Sequence, residues 1–221
     1  MNLRFTEDQE MMRRTVRQFT RDKIAPRVHE MDVEDQFPQD VIREMGKHGL
    51  LGIPIDVKWG GTGSTFTTYI MVIEEISRVS AGIGVILAVH TSVGTMPIVQ
   101  FGTDAQKARF VPPLARGEHL GAFALTEPGA GSDVKSIRTS AKRDGDDYIL
   151  NGTKVFITNA GFADTIITFA VAEKGITAFI VEKGTPGLVV GKQEHKMGLG
   201  GTATASLTFE DMRIPVANRL G

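Results

Sequence analysis

The chain has 221 residues, no cysteine, 41% hydrophobic residues and a formal net charge of −1 at pH 7. This length has room for two domains with packed cores. The balanced charge, without a basic block, gives no footprint for nucleic acid or an anionic membrane. The lack of cysteine excludes disulfides and thiolate metal sites, and we expect no apolar run long enough to span a bilayer.

Helical periodicity predicts an all-α domain over residues 1–117. Thr6 and Gln9 form a capping-box pattern before the first helix, and Pro26 should end or kink that helix. Glu74 and Glu75 are expected on a solvated helix surface and not as a catalytic pair.

Later parts of this domain are predicted from prolines and from apolar patterning. Pro38 should open a second helix. Residues 83–101 are apolar nearly all round, so their helix should be buried, and His90 within it should be a satisfied core histidine. A last helix should be capped by Thr103 or Asp104 and end near Pro112.

The periodicity changes after about Leu120, and residues 118–221 are predicted to form a β-domain. Asn151-Gly152 is a hairpin signal, and Asp144-Gly145 marks another turn before it. The predicted strands are residues 148–150, 154–158, 166–172, 176–181, 188–190 and 205–209. Because no helices separate them, they favour an antiparallel barrel or sandwich, which makes the fold class α+β.

The stretch FALTEPGAGSD (residues 123–133) joins an apolar run to a turn in which Gly129 and Gly131 open the backbone to close approach. Such a loop can aim N–H groups and hydroxyls at a phosphate or a heteroaromatic edge. For the glycines alone, a Gly-rich hairpin connection is the better interpretation. The order of residues argues against a Rossmann loop, because Val134 stands where its third glycine would be and the next residues are predicted as strand.

FALTEPGAGSD and KVFITNAG (154–161) resemble the two flavin-contacting segments of the acyl-CoA dehydrogenase family. GIPIDVKWGGTG (52–63), KMGLGGTATASLTFEDMRIP (196–215) and the final NRLG also resemble that family. Within the family, the sequence as a whole most resembles the short-chain, butyryl-type branch. A helical domain followed by a β-domain is also the order of the family's first two domains.

The resemblance implies that flavin adenine dinucleotide (FAD) contacts Phe123, Leu125, Thr126, Gly131, Ser132, Phe156, Ile157 and Thr158. Leu125 and Thr126 should meet the pyrimidine side of the isoalloxazine. Gly131 and Ser132 should lie near the pyrophosphate and the CoA, and Ser132 should also contact substrate. On residue type alone, Leu125 would suit a β-core equally well.

Phe156 takes the place of an aromatic residue that packs on the flavin ring in the family. Ile157 and Thr158 should approach the central ring, with the Thr158 hydroxyl near N5, where a donor favours reduced flavin. Without the resemblance, Phe156 would be expected in the core, and Thr126 and Thr158 are ordinary strand residues. The five histidines show no ligand spacing, so no metal is predicted.

The resemblance implies FAD-dependent α,β-dehydrogenation of a short-chain acyl-CoA to the trans-2-enoyl-CoA, with electrons passed to an electron-transferring flavoprotein. The family's glutamate base lies in a third, four-helix domain, so it is expected beyond Gly221, and Glu127 is not expected to replace it. We expect the intact enzyme to be a tetramer, and the 221 residues alone to be inactive and to bind FAD weakly.

Two other functions stay open: a flavin monooxygenase or oxidase on the same fold, and a non-catalytic scaffold. The start of the chain has no apolar signal core or Arg/Ser-rich presequence. We therefore expect a cytoplasmic protein, or a mitochondrial matrix protein if the source is eukaryotic and a presequence has been removed.

Overall fold

A computed structural model describes residues 4–221. The chain forms two compact units. The first runs to Ala88 and includes Ala115–Glu118 and Lys196–Thr202, and the second comprises Val89–Leu114, His119–His195 and Ala203–Gly221. The units interleave along the chain, whereas the sequence suggests one boundary after residue 117, which stays a prediction.

Helices form most of the first unit and the start of the second. They are α1 (Glu7–Phe19), α2 (Val28–Asp32), α3 (Gln39–Lys47), α4 (Phe66–Ser77), α5 (Ala81–Ala88), α6 (Met96–Phe101) and α7 (Asp104–Ala115). The capping box before α1 is confirmed, since the Gln9 N–H donates to Thr6 Oγ1 and the Thr6 N–H donates to Gln9 Oε1. A π-helical turn, Thr20–Ile24, and a 3₁₀ turn containing Pro26 follow α1, as expected for a proline-disrupted helix.

The apolar stretch after α4 is helical over Ala81–Phe101, with a π-helical segment, Val89–Thr95, between α5 and α6. It has 21 residues and a window of mean hydropathy 1.6, so the expectation of no apolar run of membrane-spanning length is wrong by length and composition. Of that window, 56% is buried inside the part of the chain that the structure describes.

Helix α7 continues past Pro112 to Ala115, beyond the predicted end. Proline removes one backbone donor but keeps a φ that a helix accepts, so a last turn can form around it. Thr103 and Gln106 fix the beginning of this helix, because each accepts the other's backbone N–H through its side-chain oxygen.

A seven-stranded sheet dominates the second unit. Its strands are β1 (Gly121–Ala124), β2 (Ser140–Asp144), β3 (Asp147–Ile157), β4 (Thr165–Ala172), β5 (Gly175–Glu182), β6 (Leu188–Gln193) and β7 (Ala205–Pro215). The order is β1-β4-β2-β3-β7-β6, and β5 also pairs with β4. Only β1–β4 and a single-residue β2–β4 contact are parallel. The α+β class with a mostly antiparallel β-domain is confirmed.

Strand β3 runs straight through Asn151-Gly152, so the hairpin predicted there is wrong. Gly152 has φ +147°, and a Cβ built on it would lie 2.7 Å from Thr139 Cα. Glycine is needed here because Thr139 packs directly against its backbone. Asn151 bonds across to β7, because its Nδ2 donates to Asp211 Oδ1 and its Oδ1 accepts the Asp211 N–H, both at 2.9 Å. The β3–β7 register shifts at this point, as in a β-bulge. The turn predicted at Asp144-Gly145 is confirmed between β2 and β3.

Glu75 also departs from its prediction, because its side chain is buried and not solvated. Arg17 of α1 donates to both of its oxygens, Nε to Oε2 at 2.7 Å and Nη2 to Oε1 at 2.8 Å. Glu74 is exposed and pairs with Arg78 one turn later. The two glutamates therefore face different surroundings and do not form a catalytic pair.

Candidate functional site

The first predicted flavin segment leaves β1 and folds back in a tight turn. The Glu127 N–H donates to the Ala130 carbonyl at 3.0 Å, and the Ala130 N–H donates to the Glu127 carbonyl at 3.1 Å. Pro128 and Gly129 form the exposed tip of this turn. The strand predicted directly after it is wrong, because Val134–Ser136 forms a 3₁₀ turn. Three residues are too few for the amphipathic helix that follows a Rossmann loop, so the argument against such a loop still holds.

The second predicted segment is the end of β3, where the strand is bulged. Lys154 pairs with Leu207 of β7 and Ile157 pairs with Ala205, so two residues of β3 lie opposite one of β7. One of them, Phe156, has φ +59° and a side chain that is 66% exposed. A bulky aromatic residue in the left-handed region is rare and is often found at functional sites.

Backbone and side-chain hydrogen bonds join the two segments. The Val155 N–H donates to the Thr126 carbonyl at 2.9 Å. On either side of Thr126, Lys154 Nζ donates to the Leu125 carbonyl at 3.0 Å and to Glu127 Oε1 at 2.7 Å. Three consecutive residues of the loop are therefore bonded to two consecutive residues of β3.

The Glu127–Lys154 pair is buried, with side-chain exposures of 7% and 0%. The backbone N–H groups of Arg138 and Thr139 also donate to the Glu127 carboxylate, at 2.6 and 3.0 Å. Burial alone would raise the pKa of Glu127, but the hydrogen bonds from Lys154 and the backbone outweigh it and lower the pKa to about 2. Burial lowers the pKa of Lys154, and its bond to Glu127 opposes that effect.

His90 holds the start of β1, and its expected role as a satisfied core histidine is confirmed. The Gly121 N–H donates to His90 Nδ1 at 2.9 Å, so the ring proton is on Nε2, which donates to the Leu114 carbonyl at 3.1 Å. Burial lowers the pKa of His90 to about 4, which keeps the ring neutral. Asn159 Nδ2 donates to the Gly121 carbonyl at 3.1 Å, which bonds the second segment to the start of β1, the strand that leads into the first segment.

Two family models cover this architecture. The model described as acyl-CoA dehydrogenase, N-terminal domain, matches residues 6–118, and the middle-domain model of the same family matches residues 122–212. The chain belongs to the acyl-CoA dehydrogenase family. It is 54% identical over 221 residues to an acyl-CoA dehydrogenase of Bacillus subtilis (strain 168), covering 98% of this chain and 58% of that protein.

Solved acyl-CoA dehydrogenase structures have the same fold. Butyryl-CoA dehydrogenase from Megasphaera elsdenii aligns with a TM-score of 0.96 and 41% identity, covering 100% of this chain and 60% of that one. An acyl-CoA dehydrogenase complexed with FAD from Bacillus anthracis aligns with a TM-score of 0.94 and 36% identity, covering 98% and 38%. The chain thus spans well under two thirds of the length of these relatives.

The residues predicted from the acyl-CoA dehydrogenase resemblance fall into three groups by burial. Gly131, Ser132 and Phe156 are exposed, while Phe123, Leu125, Thr126 and Thr158 are half-buried. Phe123 packs edge-to-face on Phe169, with ring centroids 5.2 Å apart. Ile157 differs, because its side chain is buried in the sheet core. A contact from Ile157 to a flavin would therefore come from its backbone.

The loop glycines have no structural requirement within the part of the chain that the structure describes. A Cβ added at Gly129 or Gly131 would meet nothing within 4 Å, and neither residue has positive φ. Over residues 4–221, the hydroxyls of Thr126, Ser132 and Thr158 also make no hydrogen bond to the protein. Open space, unused hydroxyls and an exposed aromatic ring together suit the phosphate and ring of a dinucleotide.

Sequence reasoning missed Lys154, which links the two segments, and Asn159, which bonds the second segment to the start of β1. The signal for Lys154 was available, because it continues the alternation of Tyr148 and Leu150, whose side chains are buried. A lysine whose side chain points into the core needs a buried partner of opposite charge. Glu127, the acidic residue inside the first motif segment, is the candidate partner.

An apolar cavity of about 460 Å³ lies elsewhere, within the first unit. Met11, Met12, Val16, Phe19 and Leu50 are among the residues that line it. None of the predicted flavin contacts lines it. Over residues 4–221, no group of three or more His, Cys, Asp or Glu side chains is placed to hold a metal ion.

Proposed function

We propose that the complete polypeptide to which these residues belong catalyses FAD-dependent α,β-dehydrogenation of a short-chain acyl-CoA. The product is the trans-2-enoyl-CoA, and the electrons pass to an electron-transferring flavoprotein. The 221 residues supply flavin and substrate contacts to a cytoplasmic tetramer. The observation that carries this proposal is the junction of the two motif segments beside an exposed, left-handed Phe156.

FAD held by these residues would supply the acceptor for the β-hydrogen of the substrate, which would leave as hydride. In this proposal, Phe156 supports the ring by stacking, and the strain in its backbone is the cost of presenting the side chain outward. Thr126 and Thr158 supply hydroxyls that the fold does not use, Thr158 near N5 and Thr126 at the pyrimidine side. Leu125 keeps water from the ring, because it is the half-buried apolar residue beside Thr126.

The tip of the loop suits the phosphate-bearing part of FAD and of CoA. A glycine at position 131 leaves room for close approach, and the exposed Ser132 hydroxyl can donate to a phosphate oxygen or to the substrate. Any side chain at Gly131 would occupy space that the protein itself leaves open. This is the physical support for placing the pyrophosphate and CoA at this tip.

The proposal assigns the removal of the α-proton to a glutamate outside these residues. Glu127 is unsuitable as the base because it is buried, bonded to Lys154 and two backbone N–H groups, and has a pKa of about 2. A base needs an accessible lone pair and a higher affinity for protons. Glu127 therefore has a structural role, as the acceptor that holds Lys154 and the two backbone N–H groups.

The test is turnover by the complete polypeptide with butyryl-CoA, FAD and a dye acceptor. We expect dye reduction that depends on acyl-CoA and falls by at least about tenfold in the Ser132→Ala and Thr158→Ala variants. No turnover with straight or branched short acyl-CoA would contradict the proposal. Oxygen consumption that ignores acyl-CoA would instead favour a monooxygenase or oxidase.

A further inference from the structure

We infer that the Glu127–Lys154 pair is a positioning device that sets the geometry of the two flavin-contacting segments relative to each other. The inference rests on the proposed flavin site. It adds two residues that contact neither ring nor substrate in that proposal, and whose effect would reach the flavin through Thr126 and Phe156.

The pair closes the loop at both of its ends. Lys154 Nζ contacts the entrance of the loop through the Leu125 carbonyl and through Glu127. The same Glu127 carboxylate accepts the N–H groups of Arg138 and Thr139 at the exit of the loop. One buried charged contact therefore fixes where the loop leaves β1 and where it returns to β2.

The pair also couples the loop to the bulge in β3. Thr126 lies between the two loop groups that bond to Lys154, and its own carbonyl accepts the Val155 N–H at 2.9 Å. Phe156 follows Val155 directly. A shift of the Lys154 backbone would move Thr126 and Phe156 together, so the pair controls both sides of the proposed ring site.

An apolar contact could not replace this pair without loss of position. Two carbonyl or carboxylate acceptors converge on Lys154 Nζ, and two backbone donors converge on Glu127. Removal of either side chain leaves buried polar groups without partners, and the loop must move to let water reach them. The alternative is that the pair only stabilises the sheet, and the experiment separates the two roles.

The experiment uses Lys154→Met, Glu127→Gln and the double variant E127Q/K154M. Removal of both charges should recover thermal stability relative to K154M, because no unpaired buried charge remains. FAD affinity should not recover: we expect the dissociation constant to rise by at least about tenfold in K154M and in the double variant. Hydrogen exchange of residues 125–139 should be faster in both.

The matched control is the exposed Asp144–Arg213 pair of the same sheet, which the double variant D144N/R213M removes. In that variant, the dissociation constant for FAD and the hydrogen exchange of residues 125–139 should stay within about twofold of wild type. Recovery of FAD affinity together with stability in E127Q/K154M would overturn the inference and leave a purely structural pair. Unchanged exchange over residues 125–139 would overturn it whether or not FAD binds. Failure of the complete wild-type polypeptide to bind FAD would instead overturn the proposed function.

Discussion

Glu75 and Glu127 are both buried carboxylates with a basic partner, yet they sit in opposite surroundings. Glu75 is 5% exposed, and its partner Arg17 is 48% exposed, so the guanidinium keeps part of its hydration. Glu127 is 7% exposed, and its partner Lys154 has no exposure. One pair joins two helices at a surface, whereas the other lies inside the sheet unit beneath the motif loop.

The difference shows what each pair contributes. A half-exposed pair with a planar, bidentate arginine adds local order at modest cost, because water can replace a lost partner. A fully buried lysine–glutamate pair adds little net stability over an apolar pair, but it is very sensitive to loss of one member. Its presence beside the motif residues is best explained by positioning.

The largest expected effect is that of Lys154→Met on stability. It leaves the Glu127 carboxylate buried without its cation, and we expect a loss of about 3–5 kcal/mol in the free energy of unfolding. Denaturant unfolding of the variant and wild type measures this. A loss of about 2 kcal/mol or less, the range expected for Arg17→Met, would place Glu127 in the same class as Glu75 and remove the contrast.

The pH dependence should also distinguish Glu127. Its pKa is lowered to about 2 from 4.5, so its contribution is fully present above pH 4.5 and is lost as the pH falls toward 2. The expected loss is about 3 kcal/mol over that window. This loss should be absent in Glu127→Gln. A separate destabilisation develops as the pH falls from 6.5 to 4, because His90 takes up a proton in the unfolded state while burial keeps it neutral in the folded state, and it should be the same in both proteins. Equal acid profiles for the two proteins below pH 4.5 would refute the assignment.

Removal of Arg17 should have a smaller effect than removal of Lys154. In Arg17→Met, solvent can reach the Glu75 carboxylate through the space that the guanidinium vacates, so we expect a loss of about 1–2 kcal/mol. The same denaturant series measures it. A loss as large as that of Lys154→Met would show that partner exposure does not decide the cost.

The smallest expected stability effect comes from Phe156, beside the pair. Asparagine tolerates the left-handed region better than phenylalanine, so Phe156→Asn should raise stability by about 1 kcal/mol. FAD affinity should fall at the same time, because the stacking surface is lost. Unchanged affinity with raised stability would remove Phe156 from the proposed ring site.

Much of the fold was predictable because local rules agreed with tertiary structure. The capping box at Thr6, the turn at Asp144-Gly145 and the switch from helix to strand near Leu120 all follow from local patterns. The hairpin predicted at Asn151-Gly152 is wrong, because the glycine allows Thr139 to pack closely against the strand and does not form a turn. The parallel β1–β4 pairing involves residues far apart in sequence, which local patterns do not encode.

The motif segments were predictable from the sequence, but their junction was not. The resemblance to the family identifies Thr126, Phe156 and Thr158, whereas the side-chain contacts that join the two segments come from Lys154, and Asn159 and His90 bond to Gly121 at the start of β1. By residue type these three are a strand lysine, a turn asparagine and a core histidine, and only the folded chain brings Lys154 to the loop and the other two to Gly121. Burial of Glu75 was missed for the same reason, since Arg17 lies on another helix.

Whether the two segments form a flavin site can be measured by titrating this 221-residue chain with FAD and recording visible absorption before and after anaerobic addition of butyryl-CoA. We expect weak binding with a perturbed flavin band, loss of that perturbation in Phe156→Asn, and no bleaching on addition of butyryl-CoA. A flavin band that stays unperturbed at saturating FAD, or that responds equally in Phe156→Asn, would contradict the claim that these two segments form the flavin site.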